Sequence, residues 1–163
     1  MANRGIAAEM RKHAEAAAEM VQSEYGHTMD FSEPTIGAVE SLLNGLWKEQ
    51  NEADRKNGLY WKFALLFGSY IGDLIRERYP KARWIDGSTT PDAPPPVVRL
   101  GVIDVSPIVW CFKRLCNGPV DGVVAKYLAF REAADERGHA PEPEVRVDER
   151  TKRKRKPRSG DKP

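Results

Sequence analysis

Three observations predict a helix-rich α+β fold: a single domain with a small antiparallel sheet of two or three short strands. Apolar residues recur at three- and four-residue steps through five separate segments, the period of amphipathic helices. Two short strand-like stretches, the second of them β-branched, sit together in the middle of the chain, joined by a proline-rich loop rather than a crossover helix, so their pairing is antiparallel. The 163 residues are 40% hydrophobic and 31% charged, with a mean hydropathy of −0.58. A chain of this size hides roughly 68–70% of the surface it exposes unfolded, enough for one core. Two cysteines are too few for a disulfide scaffold, and the apolar content excludes collagen-like and wholly disordered classes.

The elements follow in order. Residues 6–25 form an Ala-rich helix whose inner face is Ile6, Met10, Ala14, Ala17, Val21 and Tyr25, with Gly26 closing it. Asp30 to Pro34 is a helix entry: Ser32 is the expected cap, Glu33 suits the positive end of the dipole, and Pro34 fits the first turn. Phe31 is placed to staple onto Ile36. Ile36, Val39, Leu42, Leu43, Leu46 and Trp47 make the apolar face of this second helix, which Asn57-Gly58 terminates.

A third helix spans residues 59–78. It carries Ala64, Gly68 and Gly72 at steps of four, and a glycine inside a helix costs about 1 kcal/mol relative to alanine. Close approach of another element along that bare groove offsets the cost. Tyr79-Pro80 ends the helix. A strand over 82–85, a loop containing Pro91, Pro94, Pro95 and Pro96, and a strand region over 97–105 broken at Gly101 come next. Ser106-Pro107 opens a helix that ends at Asn117-Gly118, with Lys113 and Arg114 expected on its exposed side. Asp121 is the expected cap of a last helix over 122–137. The globular domain therefore covers 1–140, with 1–26 as its N-terminal helix, and 141–163 is a disordered basic tail.

Charge is unevenly spread. Residues 144–163 hold nine Lys and Arg against four Asp and Glu, a balance of +5, which leaves the first 143 residues at −3. The basic character belongs to the tail and not to the body. No apolar leader precedes the first helix, and the apolar stretch around residues 63–75 is shorter than the roughly 20 residues a bilayer span needs. Cys111 and Cys116, five apart on one helix, point away from each other and do not pair. These features predict a cytoplasmic protein with reduced thiols and no membrane partner.

The segments Asp30-Phe31-Ser32 and Phe67-Gly68-Ser69-Tyr70-Ile71-Gly72-Asp73, followed by Trp84, Pro107 and Lys113-Arg114-Leu115, together resemble the small bacterial proteins of the DUF3806 type. The resemblance covers roughly residues 30–130, omitting the first helix and the tail, and its motifs are mostly packing residues. Asp73 stands where that pattern has Glu, and no Gly precedes Trp84. The resemblance implies an α+β fold and a cytosolic bacterial or phage setting, and it carries no catalytic residue.

The candidate sites are few. His13, His27 and His139 lie in separate segments without metal-ligand spacing, Ser69 is mid-helix rather than on a nucleophile turn, and no phosphate loop is present, so no metal, cofactor or catalytic residue is predicted. A buried Asp73 paired with Arg76 would be a fold-fixing ion pair or part of a pocket; the bland alternative is a solvated helix charge. The tryptophans are expected in the core. Tyr70, Asp73, Arg76, Trp84, Lys113 and Arg114 are the candidate partner-binding residues. Lys152, Arg153, Lys154, Arg155, Lys156 and Arg158 are the candidate nucleic-acid-binding ones. The expectation is a non-catalytic interaction protein, adaptor- or immunity-like, that binds a protein partner through its body and leaves homo-oligomerisation open. The first rival is a nucleic-acid-associated protein using the tail, and the second an enzyme with a dispersed site around Asp73, Arg76 and Arg114.

Overall fold

The computed structural model describes residues 2–49 and 58–138. In chain order the elements are α1 (Ala2–Tyr25), α2 (Thr35–Glu49), α3 (Leu59–Arg78), β1 (Arg83–Ile85), β2 (Val97–Leu100), β3 (Ile103–Val105), α4 (Pro107–Asn117), a 3-10 turn (Gly118–Asp121) and α5 (Val123–Gly138). The strands form one antiparallel sheet in the order β1-β2-β3. This is the helix-rich α+β arrangement that the apolar periods predict. The tail, His139 and Asn57 lie outside the described residues.

The centre of the fold is α3, in which every residue from 67 to 75 is buried. A helix that is apolar on all sides must be covered on all sides. Helix α1 covers one flank with Ile6, Met10, Ala14, Ala17 and Val21, all buried, and α4 covers another. The first helix thus packs on the body along the face its sequence marks out, except that Tyr25 is 53% exposed. The two glycines of α3 are the close approaches. A Cβ on Gly68 would run into the backbone of Ile108 at the start of α4, and one on Gly72 would run into the indole of Trp84 on β1. One glycine admits a helix and the other admits a strand.

The strands alternate. Trp84, Val98 and Val105 are register partners on the inward side, while Arg83, Arg99 and Asp104 form a row on the outward side. Gly101 turns β2 into β3 with φ of 60°, a backbone region that favours glycine.

Three local expectations are corrected. Helix α2 begins at Thr35, because Ser32 does not cap it with its side chain. The Ser32 carbonyl instead accepts Thr35 N–H at 3.0 Å, and its own N–H and hydroxyl are turned back onto Asp30. Asp121 is not the cap of α5. It bonds Asn117 and Lys126, and the first two amides of α5 are taken by a carboxylate from another helix, Glu40. Arg114 is not exposed; it lies on the same stripe as Pro107, Cys111 and Leu115 and is buried with them. Gly118 does end α4 as expected, with φ of 77° and its N–H on the Arg114 carbonyl.

Candidate functional site

Two polar clusters sit on different flanks of the α3–α4 core. The first gathers around Asp73. Gly72 lets the Trp84 indole lie against α3, and the next residue then receives the indole: Trp84 Nε1 donates to Asp73 Oδ1 at 3.0 Å. The same oxygen accepts from Arg76 Nη1 at 3.0 Å, and Oδ2 meets Arg11 Nη1 of α1 at 3.4 Å. The carboxylate is 1% exposed, so the solvated-helix reading of Asp73 is overturned. A buried carboxylate requires donors, and here it has three. Arg11 continues outward to Glu77 and Glu15. Ala7, Ala8, Arg11, Asp73, Arg76 and Glu77 line a cleft of about 410 Å³ between α1 and α3.

Beside this cluster lies the one non-glycine residue with positive φ among those described, Phe31 at 60°. Such a conformation costs roughly 1–2 kcal/mol. Several contacts offset it. The Phe31 ring stacks on Tyr70 with centroids 4.6 Å apart, Arg11 lies over the ring at 4.2 Å, and Phe31 N–H donates to the Tyr70 hydroxyl at 2.9 Å. Thr35 donates to the Ser32 carbonyl, so at 2.8 Å the Tyr70 hydroxyl is left to donate to Thr35 Oγ1. Burial pushes the Tyr70 phenol up. Phe31 is therefore held by Tyr70, a partner on α3. The Ser32 hydroxyl and N–H hold Asp30 below the usual carboxylate range.

The second cluster centres on Arg114. Its Nε donates to Glu40 Oε1 at 2.5 Å and its Nη2 to Asn44 Oδ1 at 2.7 Å, while Trp47 faces the guanidinium at 5.8 Å. The other Glu40 oxygen accepts Val123 N–H at 2.6 Å and Val124 N–H at 3.3 Å. One carboxylate thus joins α2, α4 and the N-terminus of α5, where a negative charge is favoured. Burial, and then Glu40, push the Cys111 thiol up, and Cys111 and Cys116 form no disulfide with each other.

Of the six residues expected at a partner surface, Tyr70, Asp73, Trp84 and Arg114 are buried and offer a partner no surface. Arg76 is partly exposed at the cleft, and Lys113 is exposed on α4. Asp73 and Arg76 meet at one cleft, whereas Arg114 is bonded to α2 instead and does not join them. The six tail cations lie outside the described residues. Sequence reasoning missed Arg11, Glu40 and Asn44, and the stack of Phe31 on Tyr70. For Glu40 and Asn44 a signal existed, since they follow Ile36 at steps of four on a largely apolar face. For Arg11 nothing local marks the distant partners, and for Phe31 the pattern marks a staple but not the Tyr70 contact 39 residues away.

Among the described residues no helix is long and apolar enough to cross a membrane, and no three His, Cys, Asp or Glu residues gather as metal ligands do. The chain matches no known protein family, no curated protein and no solved structure.

Proposed function

We propose that this chain is a non-catalytic interaction protein, adaptor- or immunity-like, whose helix–sheet body binds a macromolecular partner. One observation carries the reading. Among the described residues three polar side chains are buried, Ser69, Asp73 and Arg114, and each is bonded across to another element. Ser69 reaches Met10 of α1, Asp73 reaches Arg11 and Trp84, and Arg114 reaches Glu40 and Asn44. Side chains engaged this way specify the fold, and moving a proton or attacking a substrate would first require breaking those bonds. What remains for a partner is the surface, where Lys113 and the outer arms of Arg11 and Arg76 carry charge.

The test is capture of a partner by the tagged full chain in extract of its native host, with cross-links mapped to the bait. A stoichiometric partner cross-linked at Lys113, and lost in Lys113→Glu at an unchanged melting midpoint, is the expected result. Recovery of the chain free of any stoichiometric partner contradicts the reading.

A second reading, nucleic-acid association, rests on the six cations within residues 152–158. Six phosphate contacts on duplex DNA give a log–log salt slope of about −5. Removal of residues 151–163 abolishes that binding if the tail is responsible, and unchanged affinity after truncation eliminates it.

A further inference from the structure

The outward row of the sheet carries a positive charge, Arg83, for which the described residues supply no paired carboxylate. Antiparallel register sets Arg83 opposite Arg99, and Arg99 opposite Asp104. Directly opposed side chains have Cβ atoms about 4.5–5.5 Å apart, and like charges there repel. Asp104 neutralises one member, accepting Arg99 Nε and Nη2 at 2.7 Å each. Arg83 is exposed, and among the described residues no carboxylate pairs with it. The two arginines border a concavity of about 330 Å³ that Lys81, Ile85 and Gly101 complete. Gly101 brings no side chain to its rim, and the space a Cβ would take there is open.

We propose that this concavity binds a phosphate group held between the Arg83 and Arg99 guanidinium groups. The planar fork of donors on arginine matches the oxygens of a tetrahedral oxyanion. Asp104 occupies only two of the five N–H donors of Arg99 and leaves the Nη1 donors for the anion. An anion there supplies the counter-charge that Arg83 lacks, so binding and sheet stability are coupled. The phosphate can belong to a small phosphorylated compound or to the backbone of a single-stranded nucleic acid. The site is independent of the tail and of the partner surface proposed above.

The experiment is a titration of the full chain with inorganic phosphate, followed by the NMR signals of the Gly101 amide and the Arg83 Nε–Hε group, which report this site and not the tail. We expect both to move with a dissociation constant on the order of 1 mM. Arg83→Gln should weaken the Gly101 response roughly tenfold, and the melting midpoint of wild type should rise with phosphate more than that of Arg83→Gln. Asp104→Asn, which removes the competing carboxylate, should tighten binding several-fold. A short oligo-dT strand moving the same signals at lower concentration than phosphate assigns the source to nucleic acid. Phosphate acting more strongly than the strand assigns it to a small phosphorylated compound. Signals that stay in place with both probes, a wild-type response in Arg83→Gln, or weaker binding in Asp104→Asn overturns the proposal.

Discussion

The Asp73 and Arg114 clusters are ion pairs built in opposite senses. Around Asp73 the carboxylate is withdrawn from water and its arginines reach out, with Arg11 38% and Arg76 34% exposed. Around Arg114 the guanidinium is withdrawn, 2% exposed, and the carboxylate of Glu40 is 24% exposed. A buried carboxylate needs donors, and an indole with two guanidinium groups supplies enough of them. A buried guanidinium needs acceptors for five N–H groups, and the two it has leave Nη1 without one, just as Arg76 Nε is left without one beside Asp73. The difference separates a lock from a latch. The Arg114–Glu40 pair joins three helices, because Glu40 also takes the first amides of α5, whereas Arg11 and Arg76 hold Asp73 with side chains that are partly exposed.

Breaking the lock should have the largest effect. Arg114→Ala leaves Glu40 and Asn44 facing a void and should lower the unfolding free energy by about 3–5 kcal/mol in urea denaturation. A loss under ~1 kcal/mol would make the pair a passive surface contact. Forcing Trp84 away from Asp73 comes next. Gly72→Leu puts a side chain where the indole lies, and overpacking of that kind costs about 3 kcal/mol. The tryptophan environment of β1 should loosen with it, which near-ultraviolet circular dichroism reads, and wild-type stability with an unchanged spectrum would mean that the face is open. Loosening one arm of the latch is the mildest change. Arg11→Ala removes the exposed ion pairs to Glu15 and Glu77, the longest of the three bonds to Asp73 and one contact to Phe31, leaves Asp73 its bonds to Trp84 and Arg76, and should cost about 1 kcal/mol. A loss as large as that of Arg114→Ala would erase the distinction between the clusters.

The same contrast shows what the sequence displays and what it hides. The period of Ile6, Met10, Ala14, Ala17 and Val21 reveals which side of α1 is buried, because helical spacing alone decides it. Gly68 and Gly72 announce close approaches, since a helix tolerates two glycines only where something fits against them. The register of Arg114 with Cys111 and Leu115 also spoke for burial, but its position near the helix C-terminus, where cations suit the dipole, argued the other way. The Arg11–Phe31–Tyr70 stack depends on a left-handed phenylalanine and on contacts across dozens of residues, and local pattern carries neither. Likewise Glu40 replaces Asp121 at the start of α5 through a contact 83 residues away.

The most direct measurement is the stability of Asp73→Asn. If Asp73 is held for the fold, the amide weakens its bonds to two arginines and the unfolding free energy should fall by about 2 kcal/mol. Groups kept for chemistry at the expense of stability behave in reverse, so an Asp73→Asn protein as stable as wild type, or more so, would contradict the account.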